Sequence, residues 1–159
     1  MSLILARIDD RLIHGQVIVG WARYLDPEVI LVVSDLVAED PKQAALFRLA
    51  APASLIIHVF GMDQAVSWLN TPEAKKKRVM ILFPSPREAA GLVERGIELK
   101  SINIGGLRYE EGKHQVMKAV SLSQDDINYF RTLSGKGIEL EVRPAFSDEK
   151  KDLNPFLIQ

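Results

Sequence analysis

Asp9, Asp10, Arg11 and His14 fall within six positions of one another, in the run Arg7-Ile8-Asp9-Asp10-Arg11-Leu12-Ile13-His14-Gly15-Gln16. Those residue types suit phosphoryl transfer. A neutral imidazole offers one ring nitrogen as a nucleophile near pH 7, while its other nitrogen can be held as a hydrogen-bond donor. Arg11 supplies a planar guanidinium that can grip two phosphoryl oxygens, which lysine cannot do with the same geometry. Asp9 and Asp10 would be repelled by a phosphoryl dianion, so their expected role is to orient the imidazole or the arginine. Gly15 has no side chain to keep a phosphoryl group away from the backbone. The same residues also suit a purely structural loop, with aspartates capping a helix, an arginine paired to them and a half-exposed histidine. Spacing alone does not choose between the two.

The elements around this run place it where ligands bind. Apolar, β-branched stretches at Leu3–Ile8, Val29–Val33, Leu55–Phe60, Val79–Phe83, Ser101–Ile104 and Ile138–Val142 read as buried strands. Helical spacing occupies Gly15–Tyr24, Pro41–Leu49, Met62–Leu69, Pro86–Glu94 and Asp125–Leu133 between them. Apolar strands alternating with helices predict a three-layer α/β/α sandwich around a mostly parallel sheet. In such sheets ligands lie outside the carboxyl ends of the strands, which is where the segment from Asp9 to His14 falls. A phosphoryl group there would also meet the free N–H groups at the start of the next helix.

Asp40-Pro41 and Ser85-Pro86 have the form of N-caps before a first-turn proline, and Gly96 and Gly135 fall where C-caps are expected. The glycine-rich stretch from Gly105 to Gly112 reads as a loop or hairpin, and Lys75-Lys76-Lys77 as a solvated turn before a strand. Asp35 and Ser85 follow strands and are possible residues of the same crevice, although each also suits an ordinary strand-to-helix turn. His58 sits inside an apolar strand and reads as a histidine in or beside the sheet. His114 follows the glycine-rich loop and reads as exposed.

The chain has 159 residues, a size that fits one domain spanning 1–159. Its net charge of -1, with no basic cluster, argues against nucleic acid as a partner. The absence of cysteine removes thiolate catalysis and disulfides, and the histidines have no zinc-type spacing, so neither metal nor cofactor is expected. No dinucleotide-binding glycine pattern, P-loop or nucleophile elbow is present. The apolar opening is too short for a signal-peptide core, and no stretch approaches the roughly 20 apolar residues of a membrane span. A cytoplasmic protein that meets the membrane only through partners is the expectation.

From Arg7 to Val17 the sequence resembles the active-site loop of IIB components in the mannose/fructose/sorbose family of bacterial sugar phosphotransferase systems. The resemblance continues through Val32-Val33-Ser34-Asp35, Arg78–Phe83, Asn103-Ile104-Gly105-Gly106, Lys113-His114-Gln115-Val116 and Gly137–Arg143. It implies a transferase in which His14 accepts phosphate through Nδ1 from a phosphohistidine of a IIA component, then passes it to a sugar translocated by membrane components IIC and IID. Arg11 matches the arginine that helps to hold the phosphoryl group. Phe83-Pro84-Ser85-Pro86 stands where the family carries Thr-Asn-Pro, and His114 where threonine is common. Two other readings of the loop stay open: a regulatory module that is phosphorylated without transporting, and a small-molecule binding domain without transfer activity.

Overall fold

The computed structural model describes residues 2–158. Its first strand, β1 (Ser2–Asp9), lies inside a seven-stranded sheet, paired in parallel with β4 (Arg78–Phe83) on one side and β5 (Ser101–Gly106) on the other. Beyond β4 come β2 (Val29–Val33) and the edge strand β3 (Ile56–Phe60). Beyond β5 come β8 (Glu139–Val142) and the two-residue β9 (Lys151–Asp152), the one antiparallel member. All five residues of β2 are buried. Covering on both faces explains why this strand reads as an unbroken apolar run rather than an alternating one.

The two faces carry separate apolar clusters. On one, Val17 and Trp21 of a π-helix (Gln16–Trp21) pack with Val37 of α2 (Asp35–Ala38) and with Ala44 and Phe47 of α3 (Pro41–Ala50). The π-helix runs on into α1 (Ala22–Leu25). On the other, Ala65 of α4 (Met62–Leu69), Leu92 of α6 (Pro86–Glu94) and Phe130 of α7 (Gln124–Gly135) cover Ile8, Leu31 and Ile81. Each fully buried large apolar side chain contributes roughly 1.5–3 kcal/mol. The predicted three-layer sandwich is therefore present.

Right-handed crossovers fix which face each helix takes. Steps from β1 to β2 and from β2 to β3 run one way across the sheet, and the later steps to β4, β5 and β8 run the other. At the carboxyl end of β1 the chain leaves toward one face, while on both neighbouring strands it leaves toward the opposite face. That reversal opens a crevice beside Asp9.

Several local expectations change. Lys75 and Lys76 belong to the short helix α5 (Pro72–Lys76), capped by the Thr71 hydroxyl accepting from the Ala74 N–H, rather than to a turn. Gly105 and Gly106 lie in β5, and the hairpin comes later, as β6 (His114–Met117) and β7 (Val120–Leu122). Gly135 is the last residue of α7, not its cap. The left-handed conformation that ends the helix belongs to Gly137, with φ +81°. Asp40 caps α3 as expected, but Ser85, at the N-cap position of α6, makes no side-chain cap bond and donates its hydroxyl to the Glu88 carboxylate.

Candidate functional site

Period-two alternation along β1 sends Ala6 and Ile8 into the cluster under α4, α6 and α7, and Arg7 toward the opposite face. Arg7 is fully buried there beneath Trp21, its guanidinium carbon 5.0 Å from the ring centroid. Its Nη1 donates to Asn103 Oδ1 at 2.6 Å and to the Arg143 carbonyl at 3.1 Å, and its Nη2 to Asp9 Oδ2 and the Pro144 carbonyl, both at 2.9 Å. Trp21 Nε1 donates to the same Pro144 carbonyl at 3.0 Å. Burial works against the charge on Arg7, and the attraction of Asp9 works to keep it.

Asp9 is also fully buried and is the hub of the site. Besides Arg7, its carboxylate accepts from the Arg11 backbone N–H at 3.1 Å, from Arg11 Nε at 3.3 Å and from Arg11 Nη2 at 3.4 Å. His14 Nε2 lies 3.1 Å from Asp9 Oδ2. Burial alone would raise the Asp9 carboxyl, but the His14 hydrogen bond, the Arg7 charge and the Arg11 bonds outweigh it and hold the group well below the usual carboxylate range. A carboxylate can only accept, so Nε2 of His14 must carry the hydrogen. The lone pair of the neutral ring is then on Nδ1.

The loop between Asp9 and His14 is anchored by its apolar residues. Leu12 and Ile13 are buried in the same cluster as Trp21, and Leu12 holds φ at +57°, a left-handed conformation that L-residues rarely adopt. The Leu12 N–H donates to the Asp9 carbonyl at 3.0 Å, closing the turn. His14 is left partly accessible, with 16% of its side chain exposed, and Arg11 more so at 46%. Arg11 Nη2 also donates to Gln16 Oε1 at 3.1 Å, which fixes the guanidinium at the mouth of the crevice. At Gly15, which is exposed, an added side chain would meet nothing within 4 Å, so the surface beside His14 is open to an incoming group.

Of the predicted site residues, the structure brings Asp9, Arg11, His14 and Gly15 together and separates the others. Asp10 orients neither the imidazole nor Arg11. Its carboxylate accepts from the Arg108 backbone N–H at 2.8 Å and from Arg108 Nε at 3.3 Å, because the chain turns at Asp9 and aims the next side chain at the segment after β5. Arg11, Gln16, Gly105, Arg108 and Lys118 line a cavity of about 500 Å3 there. Asp35 lines a different cavity with Met62 and Glu88, and its Oδ1 accepts from the Met62 N–H at 2.8 Å, so it serves the start of α4. Ser85 is tied to Glu88. His58 stacks on Phe60 at 4.8 Å between ring centroids and meets the edge of Trp68 at 5.0 Å, and His114 lies exposed on β6. Among the described residues no group of His, Asp or Glu could hold a metal ion, and no helix is long and apolar enough to cross a membrane.

Sequence reasoning missed Arg7, Asn103, Trp21 and Arg108. A signal for the first was available: an arginine inside an otherwise apolar interior strand must find partners or not be buried at all.

Residues 3–159 match the family model described as the PTS system sorbose subfamily IIB component. The chain is 39% identical to a sorbose-specific EIIB component of Lacticaseibacillus casei, over 96% of this chain and 93% of that protein. It is 43% identical to the mannose-specific EIIAB component of Escherichia coli K12, over 94% of this chain, and spans only 46% of that longer relative. The crystal structure of the IIB domain of the sorbose permease from Klebsiella pneumoniae superposes with a TM-score of 0.92 at 37% identity, covering 96% of this chain and 94% of that one. The chain thus belongs to the sorbose subfamily of phosphotransferase-system IIB components.

Proposed function

We propose that this chain is a phosphoryl carrier in sugar uptake and that His14 Nδ1 is the atom that carries the group. The observation that supports this most directly is the tie between His14 Nε2 and buried Asp9 at 3.1 Å, which leaves Nδ1 as the nucleophilic nitrogen of a partly accessible ring. In the first step the Nδ1 lone pair attacks the phosphorus of a phosphohistidine on a IIA component. The new N–P bond forms as the donor's N–P bond breaks, and the released electron pair returns to the donor imidazole. In the second step a sugar hydroxyl oxygen attacks the same phosphorus, the bond to His14 breaks, and the hydroxyl proton passes to water or to a partner side chain. Positioning and charge supply most of the catalysis in such transfers. Arg11 and the open backbone at Gly15 would receive the phosphoryl oxygens, and Asp9 would orient both the imidazole and Arg11.

The donor is a IIA component and the acceptor a hexose or amino hexose delivered by membrane components IIC and IID. Relatives named for sorbose, mannose, fructose and N-acetylgalactosamine support that substrate class. The chain would work at the cytoplasmic face of the membrane, held there by those partners. The test is phosphorylation by a phosphorylated IIA partner, followed by mass spectrometry under conditions that preserve N–P bonds. His14→Gln should abolish labelling, whereas His58→Gln and His114→Gln should each retain one phosphoryl group per chain. A fully phosphorylated His14→Gln protein would overturn the proposal.

A further inference from the structure

We propose that Arg7 is a positioning residue whose buried charge offsets Asp9, so that His14 stays a neutral nucleophile instead of becoming an imidazolium. This inference rests on the reading of His14 as the phosphoryl acceptor. A carboxylate in contact with an imidazole favours the doubly protonated ring, which has no lone pair on Nδ1 to attack with. Asp9 therefore presents a chemical difficulty along with its orienting benefit.

The surroundings of Asp9 answer that difficulty with fixed positive charge. Arg11 contributes, but it is 46% exposed and its field is screened by water. Arg7 is 0% exposed and 2.9 Å from the same Oδ2 that faces His14, so its charge acts at short range without that screening. Its position is fixed on several sides: four acceptors take its two Nη groups, Trp21 covers its face, and only Nε lacks a partner. The remaining charged groups packed around it are Glu141, which reaches Asn103 Nδ2 at 3.4 Å and is itself met by Lys150, and Arg143, whose guanidinium lies 5.5 Å from the Trp21 ring centroid.

The neighbouring strand is shaped around this guanidinium. Register between β1 and β5 passes from Ile8 opposite Ile104 to Asp9 opposite Gly106, so Gly105 is the extra residue of a bulge. A side chain at Gly105 would put its Cβ 2.0 Å from Arg7 Nη2 and 2.1 Å from its Cζ, so the guanidinium would have to shift away from the four acceptors that hold it. Gly106, by contrast, would bring its Cβ no nearer than 3.8 Å to any atom, an ordinary contact. Of the two adjacent glycines, Gly105 alone is required for space, and what it makes room for is Arg7.

The experiment measures the rate of phosphoryl transfer from phosphorylated IIA across a pH series for the unaltered chain, Arg7→Lys, Arg7→Met and Gly105→Ala, with folding of each checked by circular dichroism. In Arg7→Met and Gly105→Ala the rising limb of the profile should move up by about one pH unit, so that transfer falls by up to about tenfold on the acidic side of the limb and recovers in alkali. Arg7→Lys keeps the charge and should restore part of the shift. If Arg7→Met fails to fold, because Asn103 and two carbonyls lose their donor, Arg7→Lys and Gly105→Ala carry the test. Variants that fold and lose activity equally at every pH, with the limb unmoved, would overturn the role given to Arg7. Failure of the unaltered chain to accept phosphate on His14 would instead overturn the reading on which it rests.

Discussion

Replacing Asp9 by asparagine keeps the size of the side chain and removes its charge, which isolates what the carboxylate does. In the folded protein the change leaves Arg7 fully buried without its counter-charge, and replaces an acceptor-only group facing Arg7, Arg11 and His14 with an amide that must turn one N–H toward donors. Breaking a buried pair by removing one partner costs about 3–5 kcal/mol, and the lower end applies here because Arg11 is half exposed. The sign of the pH dependence follows from the depressed carboxyl of Asp9. Its stabilising contribution is complete above the unfolded carboxyl value of about 3.9 and is lost as pH falls below it toward the folded value, by about 1.4 kcal/mol per pH unit. The stability gap between the parent and Asp9→Asn should therefore be about 3 kcal/mol near pH 7 and smaller by roughly 1 kcal/mol near pH 3. Urea titrations at the two pH values measure both numbers through the unfolding midpoint, provided the denaturant slope is unchanged. Transfer to His14 should slow on the order of a hundredfold as the imidazole loses its fixed orientation. A gap under about 1 kcal/mol, or one that is the same at both pH values, would refute the reasoning.

Three further outcomes are expected. Arg11→Lys should slow transfer roughly tenfold with little effect on thermal stability, since lysine keeps the charge but loses the fork that now spans Asp9 and Gln16; equal rates would argue against the role of Arg11. Burial pushes the His58 imidazole down, and so an unfolded chain takes up a proton that the folded chain resists. His58→Phe, which fits between Phe60 and Trp68, should thus gain on the parent as pH falls below about 6.5, while a pH-independent difference would contradict this. Gly135→Ala, inside α7 with open space around it, should stabilise by up to about 1 kcal/mol, whereas Gly137→Ala, at φ +81°, should cost about 1–2 kcal/mol; thermal melts that rank the pair the other way would refute the assignment of the helix end.

Patterning made the layers legible, because apolar runs and helical spacing are local properties. Met62–Leu69 and Pro86–Glu94 have the bounds that spacing predicts, and Val29–Val33 is a strand from end to end. The grouping of His14, Arg11 and Asp9 was legible for the same reason, since all three lie within six positions of the chain. What sequence could not convey was pairing across long separations. Arg7 meets Asn103 and the carbonyls of Arg143 and Pro144, and nothing about position 7 in isolation names those partners. The split between Asp9 and Asp10 was hidden too, because it depends on the direction the chain takes at a turn held by Leu12 in the left-handed region. Small antiparallel pieces such as β9 and the β6–β7 hairpin carry too few residues for periodicity to register.

The π-helix that follows the loop sets a length as well as a shape. Its turn is wider than an α-turn by one residue, so Gln16–Trp21 carries the chain around the cylinder with a phase that an α-helix would not reproduce. Rewinding the same residues as an ordinary α-helix, which has no room for the extra one, would swing Trp21 by about 100° relative to His14. The indole would leave the face of Arg7, and its Nε1 would lose the Pro144 carbonyl. Such rewinding could spare every charged side chain in the crevice and still dismantle it, so the wide turn between His14 and Trp21 matters to the site as much as the identity of either residue.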